Sequence, residues 1–332
     1  GMEYKKAYWD ETPDQFLFDR HVQQIFPLLH RRELFSYVEN FRLYDFLNDG
    51  GVDENVFAYS NRLGDQRALV VYHNRYAETS GWIKTSIPTK VGETAELSIT
   101  SLSEGLDISG TQDSFCIMKD IMTALYYVFS TEQIHTQGLF LKLHAYESHV
   151  FVDFVFVQDS VEKPYAKLCD VLAGRGVPDI DQALLLLELE PVHIPLREIL
   201  HPDYLQYLVQ SLVSGIELDQ RRSIQDEATG KVENLLEGVA YYQKGGGTKK
   251  NEQQISAFTH AMRALLVHSG SKLSDSIPGQ RSYQRVEDFL LDKFETRPTN
   301  YIPFLIACHL EVLKSPLNVF DSWQIEQITT EA

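Results

Sequence analysis

The sequence predicts an α+β protein: an N-terminal helix, an antiparallel β-sandwich, and a largely α-helical C-terminal region. Three observations predict it. Apolar residues ahead of Tyr37 recur at helical spacing, short segments rich in Val, Phe, Tyr and Leu follow between turn residues, and helical periodicity returns beyond Asp159. The corresponding segments are 1–36, 37–159 and 160–332.

In the first segment Phe18, Val22, Phe26 and Leu29 repeat at helical spacing. Pro27 lacks an N–H and should interrupt or kink the helix, giving two short helices or one bent one. The strands follow at 37–46, 54–61 and 66–74, separated by the turn signals NDGG and LGD. Gly64 supplies the positive φ that a tight hairpin requires between VFAYSN and RALVVYHN. Ala68, Leu69, Val70 and Val71 are apolar on both faces, so this strand should be central and buried on each side. Further strands are expected at 95–100, 115–119, 124–129 and 139–157. The last is too long for one flat strand and should bend or turn near Ala145 to Ser148. About seven short strands with polar turns indicate a sandwich. Later, Pro178 with Asp179 to Asp181 forms a helix start ahead of Ala183 to Leu189. KGGGTKKNEQQ, 244–254, is expected as a flexible loop. Phe258, Met262, Leu265 and Leu266 mark a helical face ended by Gly270, and helices are expected over 282–294 and 301–313.

A formal charge of -17, from 30 basic and 47 acidic residues, opposes attraction to phosphate backbones or anionic lipid. Nucleic acid and membrane surfaces are therefore not expected partners. No run reaches the roughly 18 apolar residues of a membrane span, and GMEYKKAYWDE has no secretory core. Cys116, Cys169 and Cys308 are too scattered for a disulfide framework or a zinc site and read as reduced core thiols, so the compartment expected is cytoplasmic. Gly1 ahead of Met2 looks like a tag-cleavage scar, so the chain is read as a fragment of a longer protein.

No catalytic constellation emerges. Gly245 to Gly247 with Thr248 and Lys249 lack phosphate-loop spacing, and neither G-x-S-x-G nor H-E-x-x-H occurs. His144 and His149 would face opposite sides of a continuous strand and read as core or edge histidines. Glu198 and His201 form one E-x-x-H, whereas a di-metal carboxylate site needs two plus further glutamates. Neither a metal nor a cofactor site is assigned. Asp153, set within a strongly apolar strand, should be partly buried and require a structural partner such as an arginine or a backbone amide. Aromatic rings stack on sugar faces, which makes Tyr72, Tyr76 and Trp82 the candidate carbohydrate-binding residues, with core packing the default for such rings.

The stretch VFAYSNRLGDQRALVVYHNRYAETSGW resembles the start of the C-terminal β-sandwich of the α-amylase superfamily of glycoside hydrolases. Tyr59, Arg62, Gly64, Asp65, Leu69 to Val71 and Asn74 occupy the places of that family's hairpin, with one extra residue before the arginine. FPLLHRRELFSYVENFRLYDF resembles the last barrel helix running into the first sandwich strand. LKLHAYESHVFVDF resembles the closing strands, and RGVP, Arg175 to Pro178, resembles part of a helical extension in longer members. The resemblance spans residues 20 to 190. In that family an aspartate nucleophile, a glutamate acid/base and a second aspartate act on a (β/α)₈ barrel of about 250 residues. Residues 1–36 leave no room for it, and neither G-x-R-x-D nor an Asn-His-Asp segment is present, so no catalytic residue carries over. The resemblance implies a non-catalytic C-terminal region whose partners are a catalytic barrel domain or a glucan, with possible homo-oligomer contacts through the helical part. The alternatives are a stand-alone carbohydrate-binding module and an acidic helical scaffold for protein interaction.

Overall fold

The structure is a computed structural model and describes residues 14–90, 97–161, 163–213, 217–242, 248–268, 301–311 and 313. The α+β class holds, and the chain divides into two compact units, Gly1–Leu185 and Leu186–Ala332.

The first unit opens with α1, Gln15–Arg20, a π-helical turn, His21–Ile25, and α2, Phe26–His30. The π turn explains how Pro27 is tolerated. A proline in a helix has no N–H to donate and crowds the carbonyl four residues back. The wider turn, closed by the Phe26 N–H donating to the His21 carbonyl, leaves the space for it.

The strands are β1 Arg42–Asn48, β2 Gly51–Val52, β3 Val56–Leu63, β4 Gln66–His73, β5 Thr79–Ser86, β6 Thr89–Lys90, β7 Leu97–Ser98, β8 Ser114–Asp120, β9 Tyr126–Ser130, β10 Leu139–Leu143 and β11 Ser148–Gln158. Nine of them form one antiparallel sheet in the order β10-β5-β1-β3-β4-β11-β8-β9, with β2 beside β1, while β6 and β7 pair separately. The sheet is continuous and curled, and it encloses a core by bending rather than by stacking two separate sheets. Leu139, Leu141 and Leu143 from one edge strand share an inner cluster with Tyr127 and Phe129 from the other. Two short helices close that cluster, α3 Leu102–Leu106 through Leu102 and Leu106, and α4 Thr131–Thr136 through Ile134. Register shifts in β1 against β5 and in β11 against β8 mark bulges, which sharpen local bending.

β4 is central and buried on both sides, as its composition requires. Leu69 and Val71 join the inner cluster, whereas Ala68 and Val70 face an outer cluster with Val150 and Val152. Leu28, Leu34 and Phe35 of the N-terminal segment cover that outer cluster. Gly64, at φ +57, turns the two-residue loop between β3 and β4.

Asp153 finds the arginine its position demands. Arg31 donates from both guanidinium ends to the two carboxylate oxygens, at 2.7 and 2.8 Å. The expectation of partial burial is corrected: the side chain is 45% exposed. The reason is the β11 bulge, where Asp153 has φ +52 and alternation is reset between inner Phe151 and inner-packing Phe154.

Other boundaries shift. The first strand begins at Arg42, because residues 31–40 are mostly turns, and β5 and both short helices occupy segments without a strong periodic signal. The expected bend after Leu143 is a turn at 144–147. α5, Tyr165–Leu172, packs on β9, with the Cys169 thiol donating to the Val128 carbonyl at 3.5 Å. Asp179 caps α6, Ile180–Glu188, by accepting from the Gln182 N–H at 2.9 Å.

The second unit contains α7 Glu190–Leu200, α8 Pro202–Val213, α9 Leu218–Tyr242, α10 Thr248–His268 and α11 Tyr301–Glu311. Its core draws on Leu196, Leu208, Leu235, Met262 and Leu305, one from each helix. Gly238 permits the contact between α7 and α9, since a Cβ there would run into the Pro191 carbonyl oxygen. The expectation of a loop over 244–254 is corrected at its C-terminal part, where α10 starts at Thr248; Lys, Glu and Gln are good helix formers once past the glycines. The triple glycine, Gly270 and the helix expected over 282–294 lie outside the described residues. No helix among the described residues is long and apolar enough to cross a membrane.

Candidate functional site

An open pocket of about 580 Å³ lies at one end of the curled sheet. The β1–β2 turn supplies Asn48, Asp49 and Gly50, the start of β5 supplies Glu78, Thr79 and Ser80, and the end of β10 supplies Lys142, Leu143 and His144. Asp53 braces the wall from behind. One of its oxygens accepts from the Asn55 N–H and side-chain amide at 3.1 and 2.9 Å, and the other from Thr79 at 2.9 Å and Asn48 at 3.3 Å. The amide of Asn55 is the main reason the Asp53 carboxyl is held below its ordinary pKa.

His144 faces Glu78 with Nδ1 3.1 Å from a carboxylate oxygen. Beyond this pair stand two tyrosines, Tyr76 two residues before Glu78 and Tyr146 two residues after His144. Their rings lie 6.2 Å apart at 39°. The end of β4 holds them together through main-chain bonds. His73 N–H donates to the Glu147 carbonyl at 2.9 Å, Tyr146 N–H to the Arg75 carbonyl at 3.2 Å, and the buried His73 ring donates from Nδ1 to the His144 carbonyl at 2.9 Å. Tyr146 itself sits at φ +54.

The three aromatic candidates do not converge. Tyr76 is 84% exposed at the pocket end. Trp82 is half-buried on the outer face of β5 and packs against Phe140 at 5.1 Å. Tyr72 lies on the outer face of β4, two intervening strands from Trp82, with its hydroxyl donating to Asn74 at 3.2 Å. Of the three only Tyr76 lies near the pocket, two residues before Glu78, and its ring meets Tyr146, which like the lining residues Glu78, Lys142 and His144 was not among the carbohydrate-binding candidates.

Glycoside cleavage needs an acid of raised pKa in a protected site paired with a second carboxylate. Glu78 and Asp49 line the pocket together, but the Glu78 side chain is 80% exposed and engaged with His144. That is the setting of a solvated carboxylate rather than of a general acid.

A second polar cluster is sealed. His149 Nδ1 lies 3.0 Å from Asp120, and its Nε2 lies 3.5 Å from Glu147. Asp120 also accepts from the Val150 and Met122 N–H groups at 2.8 and 3.1 Å and from Thr123 at 2.7 Å. Burial works against its charge, and these donors together with His149 more than offset it, so its pKa is lowered. Side-chain exposures of 5% and 0% leave His149 and Asp120 no room for a substrate, and the cluster pins β8 to β11. Glu198 pairs with Lys231 at 3.4 Å, while His201 accepts from the Asp203 N–H at 3.3 Å, so the E-x-x-H pair is divided between separate contacts. Among the described residues no three His, Cys, Asp or Glu side chains are grouped to hold a metal ion. Burial pushes the Cys116 thiol up to about 12, which removes it as a nucleophile.

No protein-family model matches the chain, and no curated protein matches it.

Proposed function

We propose that this chain is the non-catalytic C-terminal region of an α-amylase-like glycoside hydrolase, in which the N-terminal helical segment packs on a catalytic barrel. One observation carries this reading. The segment is fastened to the rest of its unit through Gln24, Leu28, Arg31 and Leu34, yet it leaves Phe16, Phe18, Val22, Phe26 and Leu29 exposed on successive turns. Large apolar side chains left exposed in this number on one short segment point to a contact with another folded body. A barrel is the occupant because the stretch from Phe26 to Phe46 resembles the passage from the last barrel helix to the first strand of the domain that follows. The exposed state of Glu78 supports a non-catalytic role.

The purified chain is expected to leave soluble starch, maltooligosaccharides and pullulan uncleaved. The coding sequence upstream of Met2 is expected to encode a barrel in frame. Turnover that tracks with substitution of an acidic residue of this chain would overturn the proposal.

A further inference from the structure

We propose that Tyr76 and Tyr146, with Glu78, Lys142 and His144 beside them, form a subsite for a pyranose ring of a neutral saccharide. The tyrosines carry no packing load: they are 84% and 57% exposed, whereas the core rings Tyr127 and Phe151 are buried edge to face at 5.2 Å. The Tyr146 N–H donates to the Arg75 carbonyl, and His73 donates to the Glu147 and His144 carbonyls, which ties the segments that carry the two rings to each other. Aromatic side chains turn about only two torsions, so ordering them on a ligand costs little entropy. Their oblique 39° arrangement also leaves ring faces open instead of stacking them on each other.

The adjoining pocket selects the chemistry. Asp49 and Glu78 stand with Lys142 around it, so charges of both signs line the wall, and the His144 ring faces Glu78. Asn48, Thr79 and Ser80 add neutral donors and acceptors. Sugar hydroxyls both donate and accept, and the C–H face of a pyranose is apolar, which matches a mixed polar wall beside an aromatic pair. The site is independent of the packing role of the N-terminal segment, on which it does not rest.

The test uses the full chain, titrated separately with maltohexaose, cellohexaose and xylohexaose by calorimetry. At least one is expected to bind with a Kd of about 1 mM. Tyr76→Ala and Tyr146→Ala should each weaken that binding about tenfold. Glu78→Gln should weaken it less, and Tyr241→Ala, at an exposed tyrosine of the helical unit, should leave it unchanged. The inference is overturned if none of the three saccharides binds at about 10 mM. It is equally overturned if binding persists in both tyrosine variants, including the case in which Trp82→Ala removes it. Both exposed positions tolerate alanine without loss of core contacts, so failure to fold does not cloud the result.

Discussion

Two buried histidines, His149 in the first unit and His309 in the second, are satisfied in contrasting ways. His149, in the sheet, lies between the carboxylates of Asp120 and Glu147 and stacks on Phe151 at 9°. His309, in the helical unit, donates from Nδ1 to the Leu305 carbonyl at 2.7 Å and meets the Tyr204 hydroxyl from Nε2 at 3.3 Å, with Phe258 packed on its ring. Burial holds the His309 pKa below its usual value, with Lys231 adding to the effect. His149 is therefore flanked by acids, while His309 contacts a carbonyl, a hydroxyl and an aromatic ring, with the Lys231 charge acting on it. The lesson is that burial alone does not set the chemistry of a histidine; the neighbours supplied by each architecture do.

The largest test of this comparison strikes the sheet. Phe151 is fully buried and supports both Tyr127 and His149, so Phe151→Ala should cost about 3–5 kcal/mol, measured by denaturant unfolding. Hydrogen exchange should report the loss in β8, β9 and β11 peptides. A cost below about 1 kcal/mol would mean that the inner cluster does not hold the curled sheet closed.

The next acts on the helical unit. Gly238→Ala places a methyl group against the Pro191 carbonyl and should force α7 and α9 apart at about 1–3 kcal/mol. Exchange in both helices should rise together. Unchanged stability would mean that the helices separate freely and that the close approach is unimportant.

The smallest effect is in pH. His309 has a lowered pKa in the folded state, so the unfolded chain binds more protons, and its stabilisation is present above the unfolded value of about 6.5 and lost as pH falls toward the folded value. Asp120 is also lowered, so its contribution is present above about 3.9 and disappears only as pH falls further. Mild acid, near pH 5, should thus accelerate exchange around α8 and α11 before the β8–β11 pair, and His309→Gln should blunt that response. Equal acceleration in both places would remove the distinction.

Legibility in the sequence follows the same physical divide. β4 could be read because both its faces are buried, and its hairpin because Gly64 is needed at positive φ. β5 could not, since Ser80, Gly81 and Lys84 dilute its alternation. α3 does carry a local signal, the Ser101 and Glu104 spacing, which forms a reciprocal capping box. At the pocket, Tyr76 was visible as an aromatic residue, but its partner was not. Tyr146 reaches it only through the 144–147 turn and the hydrogen bonds of β4, and no local pattern encodes a meeting of residues so far apart in sequence. Trp82 and Tyr72 looked like members of one cluster because strand order is invisible in the chain, and β1 and β3 separate them.

The π turn ahead of Pro27 has one more consequence. It shifts the angular phase between Phe16–Phe18 and Leu28, so the leading half of the rod is indexed independently of the half clasped to the sheet. Altering the length by one amino acid within His21–Ile25 would swivel that leading half like a handle on a collar, redirecting its aromatic side chains and displacing the Gln24 amide from the Met122 carbonyl while the Arg31 clasp stayed where it is.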